Sequence, residues 1–304
     1  MKRNDYDNLL KILKENVGWS FSDRDAFVIN NKIDNLIRKK GIPNVEYLVN
    51  ELNKKDSKTF LWQIIEALAI TNTSFRRNYK AFKGCIEKVL PYLFKVNKNK
   101  KTLKVLSIGC STGQELYSMA ISIKNIVKNS GWDIQLVGVD ISTDAIVKAQ
   151  KGYYTHFEIQ QGLSAKDIVA NFTFDGTYWQ ANQDLLNMVE FRRLNIYKDD
   201  LGDEKYNIIL CRNVLNIFDP LSQLTVLRKI YQHQDDEAFL CLGLGEKVVG
   251  LEEFYAEVPG AECFYFSKNL SKVKENILDI ELEETEMPSF KRPTQINLAN
   301  QKES

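Results

Sequence analysis

The residues best placed to do chemistry are a glycine-bounded turn and a distant carboxylate. Gly109-Cys110-Ser111-Thr112-Gly113 follows the β-rich run Leu103–Ile108, and Asp140 closes a second such run, Ile134–Val139. Glycine in the turn lets the backbone approach a ligand with no Cβ in the way, and the helix after it offers free N–H groups. The residue two after Gly109 is Ser111, so this is not the G-x-G-x-x-G of a pyrophosphate-binding turn. A carboxylate ending the second strand can take both hydroxyls of a ribose. The pair suits a nucleoside lacking phosphates, such as S-adenosylmethionine. The same residues also fit a plain strand-to-helix turn, with Asp140 capping the helix that begins near Ser142.

Other chemistries lack their parts. Cys85, Cys110, Cys211, Cys241 and Cys263 never form a C-x-x-C pair, and the two histidines, His156 and His233, give no metal-ligand spacing, so no metal is expected. Cys110 and Cys211 read as small buried hydrophobes, not nucleophiles. With 41 Lys plus Arg against 40 Asp plus Glu, the formal charge is +1, which argues against a protein that grips phosphate backbones, and no nucleic-acid partner is expected. The N-terminus leads from charge into Tyr6, Leu9, Leu10, Ile12 and Leu13 at helical spacing, without a signal-type apolar region. No apolar run reaches the roughly eighteen residues of a membrane span. With scattered thiols, this points to a cytoplasmic protein without membrane insertion.

These residues need a scaffold, and 304 residues with 44% hydrophobic content can bury a sizeable core in about two domains. Residues 1–96 repeat apolar positions at three- and four-residue spacing, for example Ile33, Leu36 and Ile37, and predict a helical domain interrupted at Gly41-Ile42-Pro43. Asn97–Lys101 reads as a polar linker. From 97 to 278 strands alternate with helices: after the two strands above come Val189–Leu194, Tyr206–Cys211 and Phe239–Leu242, with helices over Glu115–Lys128, Ser142–Lys151 and Pro220–His233. The expected fold class is α/β, a mostly parallel Rossmann-like sheet covered on both faces, with ligands outside the carboxyl ends of its strands. At about 170–190, Phe172–Trp179 predicts an inserted hairpin with a two-residue Asp175-Gly176 turn. The acidic and polar segment 279–304, with Glu281, Glu283, Glu284 and Glu286, is expected to be disordered.

A set of segments then carries a resemblance. Thr71-Asn72-Thr73-Ser74-Phe75-Arg76-Arg77 is similar to an N-x-T-x-F-F-R motif, and Gly109-Cys110-Ser111-Thr112-Gly113-Gln114-Glu115-Leu116-Tyr117-Ser118 to G-C-S-T-G-E-E-P-Y-S. Gly138–Ser142 with Ala149–Tyr154, Phe191–Asn195, and Cys211-Arg212-Asn213-Val214 supply the rest, in order. Through them the chain resembles, up to about Phe266, the CheR-type chemotaxis receptor methyltransferases, which methylate glutamate side chains of membrane receptors. The resemblance implies a helical N-terminal domain, a Rossmann-like domain for S-adenosylmethionine and a small β-subdomain that touches the receptor. It implies a cofactor site built from Thr71, Thr73, Arg77, Gly109, Glu115, Asp140, Asn195, Ile196, Arg212 and Asn213. Within it Asp140 would bind the ribose, Glu115 the ammonium, and Asn195 and Asn213 the adenine or the amino-acid end. Arg77, taken as the catalytic residue, would pair with the methionine carboxylate or steer the acceptor carboxylate.

The implied reaction asks little of side chains. A glutamate acceptor, with a reference pKa near about 4.3, is already anionic at neutral pH, so alignment and water exclusion are needed instead of a base. The expected partner is a chemoreceptor cytoplasmic domain or related signalling protein, met by a monomer. Arg24, Lys32, Arg38, Lys39 and Lys40 offer either a basic face for acidic receptor helices or an ordinary solvated face. The hairpin corresponds to the subdomain that, in some of the family, grips a tethering peptide. Three residues depart from the pattern: Arg76 for the second Phe, Gln114 for the first Glu, and Ile217 for a tyrosine near the methyl end. Arg76 and Ile217 motivate a second reading, a catalytically weakened regulator that binds S-adenosylmethionine or S-adenosylhomocysteine.

Overall fold

The computed structural model describes residues 3–54, 58–127 and 130–267; the acidic segment 279–304 lies outside them. In chain order the strands are β1 (Thr102–Ile108), β2 (Asp133–Asp140), β3 (Tyr153–Tyr154), β4 (Phe172–Phe174), β5 (Trp179–Ala181), β6 (Val189–Arg193), β7 (Tyr206–Cys211), β8 (Gln234–Leu242), β9 (Tyr255–Glu257) and β10 (Phe264–Ser267). The main sheet has the order β6-β2-β1-β7-β8-β10-β9. Its strands from β6 to β8 are parallel, and β10 is antiparallel to both its neighbours. Every residue of β7 is buried, as a central strand covered on both faces must be. This is the expected Rossmann-like α/β fold. The β9–β10 edge was not anticipated, because its short strands alternate too briefly to stand out from loop sequence.

Helices flank the sheet on both faces. On one side α1 (Arg3–Val17), α2 (Ala26–Lys40), α3 (Val45–Leu52) and α4 (Lys58–Leu68) bury Leu9, Leu13, Ile33 and Ile64 in one core with Leu106, Ile108 and Ile209 of the sheet. On the other, α5 (Tyr79–Gly84), a wide turn at Cys85–Val89 and α6 (Leu90–Val96) join α7 (Gln114–Val127) over Leu103, Val105 and Ile208. The alternation of strand residues between the two cores follows from the two-residue period of a strand. The remaining helices are α8 (Thr143–Lys151), α9 (His156–Gln160), α10 (Ala165–Asn171), α11 (Gln183–Leu186) and α12 (Pro220–Gln232).

Helix boundaries follow local chemistry. α2 stops at Gly41, which takes the left-handed conformation just before Pro43. α12 opens with Pro220 in its first turn behind Asp219, whose carboxylate accepts the Ser222 N–H at 2.9 Å. At α8 the cap is Ser142, not Asp140: the Ser142 hydroxyl accepts the Ala145 N–H at 3.0 Å. Asp140 is thereby released from the simpler role the sequence allowed it.

The inserted sheet has the order β3-β5-β4, antiparallel throughout, so the hairpin gains a third strand. Its turn sits one residue later than expected. Asp175 N–H donates to the Tyr178 carbonyl, and the Asp175 carboxylate accepts from Thr177 N–H and Tyr178 N–H. Gly176 and Thr177 are therefore the central pair, because the aspartate is more useful as a side-chain acceptor flanking the turn than within it.

Candidate functional site

β1 is followed by β2 on one side of the sheet and has β7 on the other, so a crevice opens where the strand order reverses. A cleft of about 380 Å³ lies there, beyond the carboxyl ends of β1, β2, β6 and β7, a size suited to a small-molecule ligand. Gly109 forms part of its floor at φ +67°, and a Cβ there would stand 2.4 Å from Val214 Cγ2. Conformation and contact both demand glycine. Ser111 N–H donates to Asp140 Oδ2 at 2.8 Å, and Ser142 N–H donates to Oδ1 at 2.9 Å. Burial pushes the Asp140 carboxyl above its usual range, against the opposing pull of these N–H groups. Each oxygen keeps a lone pair for a further donor.

Arg212, at the end of β7, joins three segments. Its guanidinium pairs with Glu115 Oε2 at 2.7 Å and donates to the Arg77 carbonyl at 2.7 Å, while Ser107 Oγ donates to Glu115 Oε1 at 3.0 Å. Burial opposes the Arg212 charge, but Glu115 more than offsets this and the guanidinium is held above its ordinary pKa. Arg212 lines the cleft, and its Nε is buried with no hydrogen-bond partner among the described residues. The next residue, Asn213, adopts φ +60°. Glu246, unnoticed in the sequence, holds that conformation: its buried carboxylate accepts the N–H groups of Asn213 at 2.8 Å, Gly243 at 2.7 Å and Asn216 at 3.2 Å. Only its place after the Leu242-Gly243 strand end hinted at a role.

The cleft gathers Thr73, Arg77, Gly109, Glu115, Asp140, Asn195, Ile196, Arg212 and Asn213 along its walls. Thr71 is not among them: its side chain is exposed, and its carbonyl accepts the Ser111 hydroxyl at 2.8 Å, tying the two motifs together. Asn72 lines the cleft instead, and its carbonyl accepts from Arg77 at 3.0 Å. Asn195 is more committed than expected. Its amide donates to Asn16 O at 2.9 Å and accepts from Tyr197 N–H at 3.1 Å, so it braces α1 against β6. Lys32 likewise leaves the expected basic face to donate to the Leu68 and Ala69 carbonyls at 3.1 and 3.2 Å, and burial lowers its pKa. Burial holds the Cys110 and Cys211 thiols well above their usual range, neutral and unreactive.

The N-terminal segment supplies a wall that the sequence did not reveal. Trp19 pairs with Phe218 in an isolated antiparallel bridge, Ser20 N–H donates to Ile217 O at 2.8 Å, and Trp19 and Phe21 both face the cleft. No local pattern marks an aromatic pair as the wall of a site formed by residues two hundred positions later.

The model of the CheR methyltransferase SAM-binding domain matches residues 71–264, more than half of the chain and the stretch that builds most of this cleft. The chain belongs to the CheR methyltransferase family. It is a methyltransferase that uses S-adenosylmethionine, in the class of protein-glutamate O-methyltransferases. The chain is similar to the chemotaxis protein methyltransferase of Borreliella burgdorferi, 25% identical over 253 residues that cover 82% of this chain and 89% of the relative. It is also similar to chemotaxis protein methyltransferase 1 of Pseudomonas aeruginosa, 26% identical over 259 residues, 84% of this chain and 94% of the relative. Among solved structures, that of the plantazolicin methyltransferase BpumL in complex with a triazolic desmethylPZN analog and S-adenosylhomocysteine aligns at a TM-score of 0.32 and 15% identity, over 73% of this chain and 60% of that one.

Within the family pattern, two of the three departures are absorbed away from the cleft. Arg76 does not line it: the guanidinium pairs with Asp167 of α10 at 3.0 Å, so the added charge is neutralised beside the inserted sheet. Gln114 is fully buried and accepts from the Thr112 hydroxyl at 2.7 Å, so a neutral amide suits the spot. Ile217 does line the cleft, as an apolar wall where the family has a hydroxyl.

Proposed function

We propose that the protein acts in chemotaxis, transferring the methyl group of S-adenosylmethionine to glutamate side chains of a chemoreceptor cytoplasmic domain or a related signalling protein. The observation that carries this reading is the meeting, in one cleft, of Arg77, Gly109, Asp140, Arg212 and Asn213 from separate motifs of the family match. S-adenosylmethionine, when bound, supplies an electrophilic methyl on a sulfonium that is its own leaving group. Asp140 accepts the ribose hydroxyls on its spare lone pairs. Ile196 and Leu194 offer apolar surface to the adenine, and the Gly109 backbone gives close approach. Arg212, Glu115, Asn213 and Thr73 serve the amino-acid end. Arg77, engaged by its side chain with the Asn72 carbonyl, steers the acceptor carboxylate.

The acceptor is anionic at neutral pH, so no general base is required. The chain's work is alignment, and exclusion of water by Trp19, Phe21, Ile217 and Phe218. Ile217 serves that purpose as an apolar wall. Calorimetric titration with S-adenosylhomocysteine tests the site. Asp140→Ala is expected to weaken binding by about tenfold or more; unaltered binding would remove Asp140 from the ribose.

For organisation, we propose a helical unit over 1–96 and a methyltransferase domain over 97–278 with its β-insertion, acting as a cytoplasmic monomer. None of the helices among the described residues is long and apolar enough to cross a membrane. Arg24, Arg38, Lys39 and Lys40 would meet the acidic receptor helices, and the β3-β5-β4 sheet would make a second receptor contact.

A further inference from the structure

We propose that Glu66, on α4, is a positioning residue for the cofactor's ribose, acting through Ser142 on Asp140; the inference rests on the assignment of Asp140 to the ribose. Glu66 reaches from the N-terminal helices to the first turn of α8. Its carboxylate accepts Thr143 N–H at 2.8 Å, Asp144 N–H at 3.2 Å and the Ser142 hydroxyl. Ser142 is buried, and its single hydroxyl proton goes to Glu66 while its lone pair takes Ala145 N–H. Its backbone N–H goes to Asp140 Oδ1 at 2.9 Å. One side of Ser142 is thus anchored by Glu66, and the other sets where one Asp140 oxygen points. The second Asp140 oxygen is set by Ser111 in the glycine turn.

The same face of α4 holds the neighbouring strand end. Trp62 lies one helical turn before Glu66, and the Arg193 guanidinium sits 4.0 Å over its ring. Arg193 is the register partner of Asp140 across β2 and β6, and Leu194 N–H donates to the Asp140 carbonyl at 2.8 Å. α4 therefore grips both backbone segments that flank the ribose carboxylate. Ser142 satisfies only Ala145 N–H and Glu66 takes the Thr143 and Asp144 N–H groups, so Glu66 completes the α8 cap and, because it comes from α4, also fixes the N-terminal helices against the nucleoside site.

The test is a double-mutant cycle on the full chain, titrating S-adenosylhomocysteine and its 2′-deoxyribose counterpart into wild type, Glu66→Gln, Asp140→Asn and the double variant, with thermal unfolding to show that each is folded. Gln keeps the size of Glu but replaces one acceptor oxygen with a donor, where three donors already converge. Glu66→Gln is expected to weaken S-adenosylhomocysteine by about tenfold, to reduce discrimination against the deoxy ligand, and to cost less than about twofold once Asp140 is already Asn. Loss in Asp140→Asn with none in Glu66→Gln would overturn the Glu66 proposal alone. So would losses that multiply fully with unchanged ribose discrimination, the mark of a merely structural residue. No loss in Asp140→Asn would overturn the ribose assignment itself, and the Glu66 proposal with it.

Discussion

Glu115 and Arg212 are the residues whose charges most directly shape the cleft, and they are buried together, with side chains 14% and 6% exposed. Removing one partner leaves the other charge without compensation. Glu115→Gln is expected to cost about 3–5 kcal/mol of stability in urea unfolding, and Glu115→Met with Arg212→Met together less than that. Asp140 gives a pH dependence of definite sign. Because burial raises its pKa in the folded chain, its own contribution to stability is fullest at low pH and is lost as the pH rises through that raised value. Ribose binding runs the other way, since hydroxyls donate to the anion. S-adenosylhomocysteine affinity should fall as the pH drops through a value above the ordinary carboxylate range, and Asp140→Asn should flatten that profile in calorimetry. At this scale the sequence was informative where a residue's role is local, as at Gly109. It was silent on Glu66 and Glu246, whose carboxylates serve backbone groups distant in the chain. It did not distinguish Thr71, whose side chain lies outside the cleft, from Asn195, which lines it while bracing α1, because motif membership does not say where a side chain points.

The elements that carry the site are strand ends and the turns after them. β1, β2 and β7 were legible because central parallel strands are apolar on both faces and flanked by turn residues. β9 and β10 were not, being a short edge pair whose partners are set by tertiary packing. The Gly109 turn is the most demanding junction. In Gly109→Ala the left-handed backbone costs about 1–2 kcal/mol, and the new Cβ meets Val214 at 2.4 Å. We expect lower stability and loss of S-adenosylhomocysteine binding in titration. Adding Val214→Ala should restore part of the stability but not the affinity, because the backbone's approach to the ligand stays blocked. Recovery of both would mean that the turn serves packing alone. The loop that carries Arg76 is fixed in a comparable way: a Cβ on Gly162 would stand 2.0 Å from the Phe75 carbonyl oxygen. Phe75 of the first motif also packs edge-on against Tyr154 of β3 and Phe172 of β4, so the inserted sheet and the first motif are packed as one piece.

Over the whole molecule, the balance of 41 basic against 40 acidic residues conceals how the charges are used. Lys32, counted with the basic face in the sequence, caps α4 at the edge of the cleft, and Arg76 is neutralised by Asp167. Of the basic residues proposed to meet a receptor, Arg24, Arg38, Lys39 and Lys40 are left without this kind of buried role. The segment before the sheet is part of the cleft's enclosure through Trp19 and Phe21, a coupling that no local sequence pattern carries. The measurement that tests the account most directly is transfer of labelled methyl from S-adenosylmethionine to the cytoplasmic domain of the cognate chemoreceptor. Base-labile label on receptor glutamates, strongly reduced with Asp140→Ala enzyme, is the expected result. Absence of label from a wild-type protein that binds S-adenosylhomocysteine would contradict it.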